Sequence, residues 1–294
     1  MEAQVGGVKL GVANSSPPTT NRLSAIVLAA LAAAATYTCM YAFRKPFTAA
    51  TFDGLLYAGV SYKVWLVVAQ VLGYMASKFY GIRFISELKS KGRFQSVVFL
   101  IGFAWLSLLG FALVPPPWNI AFMFLNGLPL GLIWGIVFSY LEGRRTTEVL
   151  GIALASTFIF ASGFVKSIGS WLMVDCGKTA FWMPFTAGAL FIVPLVGAAW
   201  LLDRTPTPDA LDLAARSERR PMTKQERRAF LQKFLPGIIV LVAAYLLLTV
   251  LRDLRDNFAA ELWIELGYGD RPDIFTQTEL PATLVILGGL SLLV

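Results

Sequence analysis

A chain of 294 residues that is 56% hydrophobic and only 15% charged holds more apolar surface than a soluble globular domain can bury, so its solvent is lipid. A mean hydropathy of +0.65 agrees with that reading. The formal charge of +7 does not point to nucleic acid, because the basic residues sit mainly in connecting loops, where orientation in a membrane accounts for them. The chain has no histidine and two cysteines, Cys39 in the first apolar run and Cys176 in a loop, so neither a metal site nor a disulfide framework is expected, and no cofactor. Proton or ligand chemistry then falls to carboxylates, lysines and tyrosines.

Residues 1–22 are polar and rich in Gly, Ser, Thr and Pro, without the plan of a signal peptide, and read as a disordered cytoplasmic tail. Apolar runs near the length of a membrane crossing follow at 24–43, 61–82, 94–114, 118–141, 149–173 and 179–202. They do not alternate in polarity as barrel strands would, so the expected fold class is an all-α membrane protein, a helical bundle with a six-helix N-terminal half over 23–202. A charged connector, 203–233, leads to an incomplete C-terminal half, 234–294. That half holds a seventh span at 237–260 and the start of an eighth at 280–294, which ends without a polar flank, as in a truncated sequence. Arg83, Lys89, Lys91, Arg93, Arg144, Arg145 and the basic end of the connector share one side, while the opposite loops hold little beyond Lys178 and Arg271. By the positive-inside rule the N-terminus is cytoplasmic.

Ionisable groups within spans are costly and mark places to look for function. In the first span Tyr37, Tyr41, Arg44 and Thr48 fall at intervals of four, three and four, one face of a helix if that helix runs past Lys45, with Pro46 as a point of kinking. The seventh span repeats the spacing with Tyr245, Thr249, Arg252 and Asp256, which reads as an internal duplication with a substrate site between the halves. In the second span the uncharged run 64–77 is too short to cross, so Lys63, Lys78 or both enter the membrane, and Gln70, Tyr74 and Lys78 fall on one face. Arg44 and Lys45 could instead snorkel to headgroups; the matching arginine in the seventh span favours a binding role. Lys166, late in the fifth span, is expected to snorkel, and Arg255 either to pair with Asp253 or Asp256 or to sit on a different face from Arg252. Glycines at 127, 131, 135 and 163, with Ser156 and Ser162, permit close helix packing. No Walker loop or nucleophile elbow is present, so an enzyme is not expected.

At Tyr37-Thr-Cys-Met-Tyr-Ala-Phe-Arg-Lys-Pro-Phe, Ala76-Ser-Lys-Phe and Leu251-Arg-Asp-Leu-Arg-Asp the chain resembles the major facilitator superfamily, and within it the organophosphate:phosphate antiporters that carry glycerol 3-phosphate and hexose phosphates. Glu142-Gly-Arg-Arg also looks like the superfamily's fourth-to-fifth loop. The loop from Gly81 to Arg93 departs from the family's Asp-Arg pair, and the fifth helix lacks its histidine. The resemblance implies a major-facilitator-type bundle in the cytoplasmic membrane, moving a small organic anion by alternating access, most simply a phosphate ester. Arg44, Arg252 and Lys78 correspond to the family's cationic positions; Tyr37, Tyr41 and Lys45 complete the expected substrate site, and Asp253 and Asp256 are candidates for proton or ion coupling. Expected partners are the anion and the bilayer, with the protein a monomer. A transporter-like sensor and a sugar-acid symporter are the alternatives.

Overall fold

The computed structural model describes residues 19–87, 92–144, 146–206, 212 and 223–291. Its helices in chain order are α1 (Thr19–Tyr41), α2 (Tyr62–Glu87), α3 (Arg93–Leu113), α4 (Ile120–Leu141), α5 (Thr147–Val174) and α6 (Met183–Asp203), followed by α7 (Lys224–Asn257), α8 (Ala259–Glu265) and α9 (Ile274–Ser291). Six described helices, α1 and α3 to α7, are long and apolar enough to cross a membrane. The chain is therefore an all-α, multi-pass membrane protein.

Several element boundaries differ from those expected. Thr19 to Arg22 belong to α1, so the helix reaches into the expected tail; residues 1–18 lie outside the described residues. Most of the connector, 207–211 and 213–222, also lies outside them, and its last ten residues are the start of α7. Thr223 caps that start: its hydroxyl accepts from the Glu226 N–H while the Glu226 carboxylate accepts from the Thr223 N–H, which satisfies two backbone donors of the first turn. The eighth run begins at Ile274 rather than 280, bringing Glu279 inside the helix.

The first helix does not run past Lys45. It ends at Tyr41, residues 42–45 form a turn and Pro46–Ala49 a short 3-10 helix. Pro46 has no N–H to continue the ladder and crowds the residue before it, so the helix stops one turn ahead of it. The four-residue face from Tyr37 to Thr48 is broken there, whereas its counterpart in α7 is continuous through Asp256. A two-residue hairpin also interrupts the loop before α2: Leu56–Tyr57 pairs antiparallel with Val60–Ser61 across Ala58 and Gly59, both at positive φ as a tight hairpin requires.

The most extensive helix pair is α2 with α4, and its closeness depends on small residues. A Cβ on Gly127 would lie 2.2 Å from the Gln70 carbonyl oxygen, one on Gly73 2.1 Å from that of Phe124, and one on Gly131 1.8 Å from Ser77 Oγ. In lipid, where no hydrophobic force distinguishes helix from tail, such backbone approach supplies the packing that holds helices together. Gly163 plays the same part between α5 and α9, facing the Phe275 carbonyl and the Glu279 side chain. The core of the first six helices is aromatic and aliphatic, and two of its largest fully buried side chains are lysines, Lys63 and Lys166. In contrast, α7 is exposed along nearly its whole length and enters the interior only at Asp256 and Asn257.

Candidate functional site

The break in α1 frees backbone carbonyls inside the bundle, where no water can satisfy them. Two amide side chains take that role. Asn126 of α4 donates to the Phe43 carbonyl at 3.0 Å and to that of Ala104 at 3.1 Å; Gln70 of α2 donates to the Arg44 carbonyl at 3.1 Å and to Asn126 Oδ1 at 2.8 Å. Lys63 Nζ donates to the Thr48 carbonyl at 2.9 Å, and Thr48 Oγ1 to that of Lys45 at 2.8 Å. The turn is thus fixed from two helices, α2 and α4, and it fixes Arg44 and Lys45.

From this turn the two cations meet different surroundings. Arg44 places its guanidinium carbon 4.3 Å from the centre of the Tyr74 ring, while Lys78 Nζ lies 4.8 Å from the centre of the same ring. Tyr37 packs edge-on against Tyr41 at 5.5 Å and Trp134 at 5.3 Å, with Phe158 at 4.9 Å, so the α1 face leading to Arg44 is aromatic. Arg44 Nε is buried without a hydrogen-bond partner, and among the described residues its guanidinium makes no ion pair. Lys78 itself is exposed.

Lys45 turns the other way, donating to Asn257 Oδ1 at 2.8 Å and pairing with Asp256 Oδ2. The other carboxylate oxygen of Asp256 accepts from Lys166 Nζ at 2.6 Å and from Ser162 Oγ at 2.6 Å, and Lys166 also donates to the Asp256 carbonyl at 3.1 Å. Lys166 is therefore not a snorkelling residue. It is fully buried, and an ammonium without water takes the carboxylate that α7 brings to it. A third lysine follows the same rule: Lys63, fully buried at the start of α2, donates at 2.7 Å to both carboxylate oxygens of Glu261 in α8. Glu279 of α9 lies 3.8 Å from both Lys166 and Arg255.

Of the expected site residues, Tyr37, Tyr41, Arg44, Lys45, Lys78 and Asp256 converge around the α1 break. Arg252 does not touch Arg44: its guanidinium is 60% exposed and bonds to Asp253 Oδ1 at 3.1 and 3.2 Å. Asp253 is exposed with it. Arg255 pairs with Glu279 rather than with Asp253 or Asp256. Gln70, Asn126, Asn257, Glu261 and Glu279 were not anticipated in these roles. Glu279 carried a signal, an acid at the head of an apolar run, that a span beginning at 280 passes over. A cleft of about 390 Å³ lined by Leu254, Arg255, Phe258, Glu261, Leu262 and Glu265 flanks the Lys63–Glu261 pair.

Fold and site together define a multi-pass helical membrane protein with cations gathered inside the bundle, one of which, Arg44, makes no ion pair among the described residues. The family model described as "Family of unknown function (DUF5690)" matches residues 46–294, and the chain belongs to that family. Tyr37, Tyr41, Arg44 and Lys45 precede the matched segment, whereas Lys78, Arg252 and Asp256 fall within it. No curated protein and no solved structure matches the chain.

Proposed function

We propose that this protein is a secondary transporter for a small organic anion, working by alternating access as a major-facilitator-type bundle. One observation carries the reading: the Arg44 guanidinium lies inside the bundle over the Tyr74 ring, its Nε without a hydrogen-bond partner and, among the described residues, with no carboxylate in ion-pair contact. An uncompensated buried charge is expensive, and an interior that keeps one is suited to an anion from outside the chain. A guanidinium fork fits a tetrahedral oxyanion, so a phosphate ester suits the site best, with a carboxylate the next choice. Lys78, whose Nζ lies 4.8 Å from the centre of the same Tyr74 ring, adds positive field. Arg252 lies four residues, about 6 Å of rise, before Asp256 on the same face of α7, and in this reading its exposed guanidinium, bonded to Asp253, is the second one to meet the anion. The resemblance of the first, second and seventh helices to the organophosphate:phosphate antiporters agrees with this assignment. In the same reading the protein is a monomer of the cytoplasmic membrane with a cytoplasmic N-terminus, and it performs no chemistry on its substrate.

The test is binding of inorganic phosphate, phosphate esters and sugar acids to the purified full-length protein, with Arg44→Ala and Arg252→Ala alongside. Loss of one anion class in both variants is expected. Binding that survives both substitutions would remove the two-arginine site.

A further inference from the structure

Glu279 is a largely buried carboxylate whose partners among the described residues are few and distant. Its side chain is 12% exposed, and its Cβ and Cγ rest against Gly163, which has no side chain to displace them. Lys166 Nζ and Arg255 Nη2 are both 3.8 Å from Oε1, beyond hydrogen-bonding distance. Among the described residues the carboxylate accepts no hydrogen bond; Thr283 Oγ1 reaches only the backbone oxygen of Glu279. Lys166 is already committed to Asp256 at 2.6 and 3.1 Å. Asp256 is the opposite case, with two ammonium groups and the Ser162 hydroxyl around its carboxylate, leaving no vacancy for a proton.

The charged groups facing Glu279 are Lys166 of α5, Arg255 and Asp256 of α7, and Lys45 from the turn after α1. Arg255 is largely exposed, so inside the bundle Lys45 and Lys166 balance Asp256 and Glu279 one for one. A proton on Glu279 tips that balance by one positive charge, in a network that runs through Asp256 to Lys45, the chain neighbour of Arg44.

We propose that Glu279 is a proton-binding site that loads together with the anion. The carboxylate takes one proton from the aqueous phase and becomes a neutral acid; the added positive charge is cancelled when a singly charged anion occupies Arg44. On the other side of the membrane both leave, the proton to water and the anion with it. The coupling rests on the transport reading above, whereas the proton site does not.

The experiment has two arms on the full-length protein in lipid vesicles. In the first, an infrared difference spectrum between about pH 8 and about pH 6, above the range in which exposed carboxylates titrate, is expected to show a protonated-carboxyl band that shifts in D2O. Glu279→Gln should remove the band, Glu261→Gln should keep it, and Glu279→Asp should move it, which preserves the assignment if the Gln variant fails to fold. No band in the unaltered protein, or a band that survives Glu279→Gln, overturns the proton site. In the second arm, an inward gradient of one pH unit is expected to raise accumulation of inorganic phosphate up to about tenfold for one proton per anion, and Glu279→Gln to abolish that gain. Accumulation indifferent to the gradient overturns the coupling. No uptake at all, with the infrared band present, overturns the transport reading and the coupling but leaves the proton site standing.

Discussion

Lys166 and Arg44 are both enclosed cations, yet the first donates to the carboxylate and carbonyl oxygens of Asp256 and the second lies over the ring of Tyr74. The difference separates two uses of buried charge. Around Lys45, Lys63 and Lys166 each ammonium meets a carboxylate from α7 or α8, so these pairs join α7 and α8 to the first six helices. Around Arg44 the described residues supply aromatic faces and no carboxylate in ion-pair contact. Cation–π contact returns only about 0.5–2 kcal/mol of what desolvation costs, which leaves the guanidinium ready for a stronger partner.

Asp256→Asn should break the paired region most severely, because it leaves Lys45 enclosed without its paired carboxylate and Lys166 with Glu279 alone, at 3.8 Å. A loss of about 3–5 kcal/mol is expected, seen as a lowered unfolding temperature in detergent, with Glu261→Gln costing less since Glu261 is 34% exposed. Gly131→Ala acts on the scaffold instead of the charges: its Cβ would sit 1.8 Å from Ser77 Oγ and push α2 from α4, for roughly 1–3 kcal/mol by the same measurement. Arg44→Ala should leave the unfolding temperature nearly unchanged and weaken phosphate-ester binding by roughly 10–100-fold, the worth of one or two charge-assisted hydrogen bonds. Arg44→Lys should recover part of that affinity, since an ammonium keeps the charge and loses the fork. Lys78→Ala should have the smallest effect, a loss of about threefold in affinity that fades at high salt, because Lys78 is exposed and acts through the field across Tyr74. A large stability loss in Arg44→Ala would erase the distinction between the two regions.

Much of the Arg44 region was legible in the chain because its signals are local. Gln70, Tyr74 and Lys78 fall on one face by helical spacing alone, and that face meets the α1 turn. The spacing from Tyr37 to Thr48 was misleading as a continuous helix, since Pro46 ends the α-helical ladder and the residues beyond it are placed by side chains from α2 and α4. Lys166 was misread for a different reason. Snorkelling is the default of an isolated helix, and only the arrival of Asp256 gives its ammonium a reason to stay inside. Asn126 and Asn257 gave no sign of their roles, because an amide in an apolar run has no meaning until the carbonyl or ammonium it serves is in place.

The sequence by itself determined the solvent, the helical class and the approximate position of nearly every span, because the length of an apolar run and the charges that close it are properties of contiguous residues. Tertiary structure decided which charges are matched. Lys45 meets Asn257 across 212 positions and Lys63 meets Glu261 across 198, so those pairings exist only once α7 and α8 lie against the first six helices. Whether a buried cation is a joint or a binding group depends on such distant partners, and no local pattern encodes them.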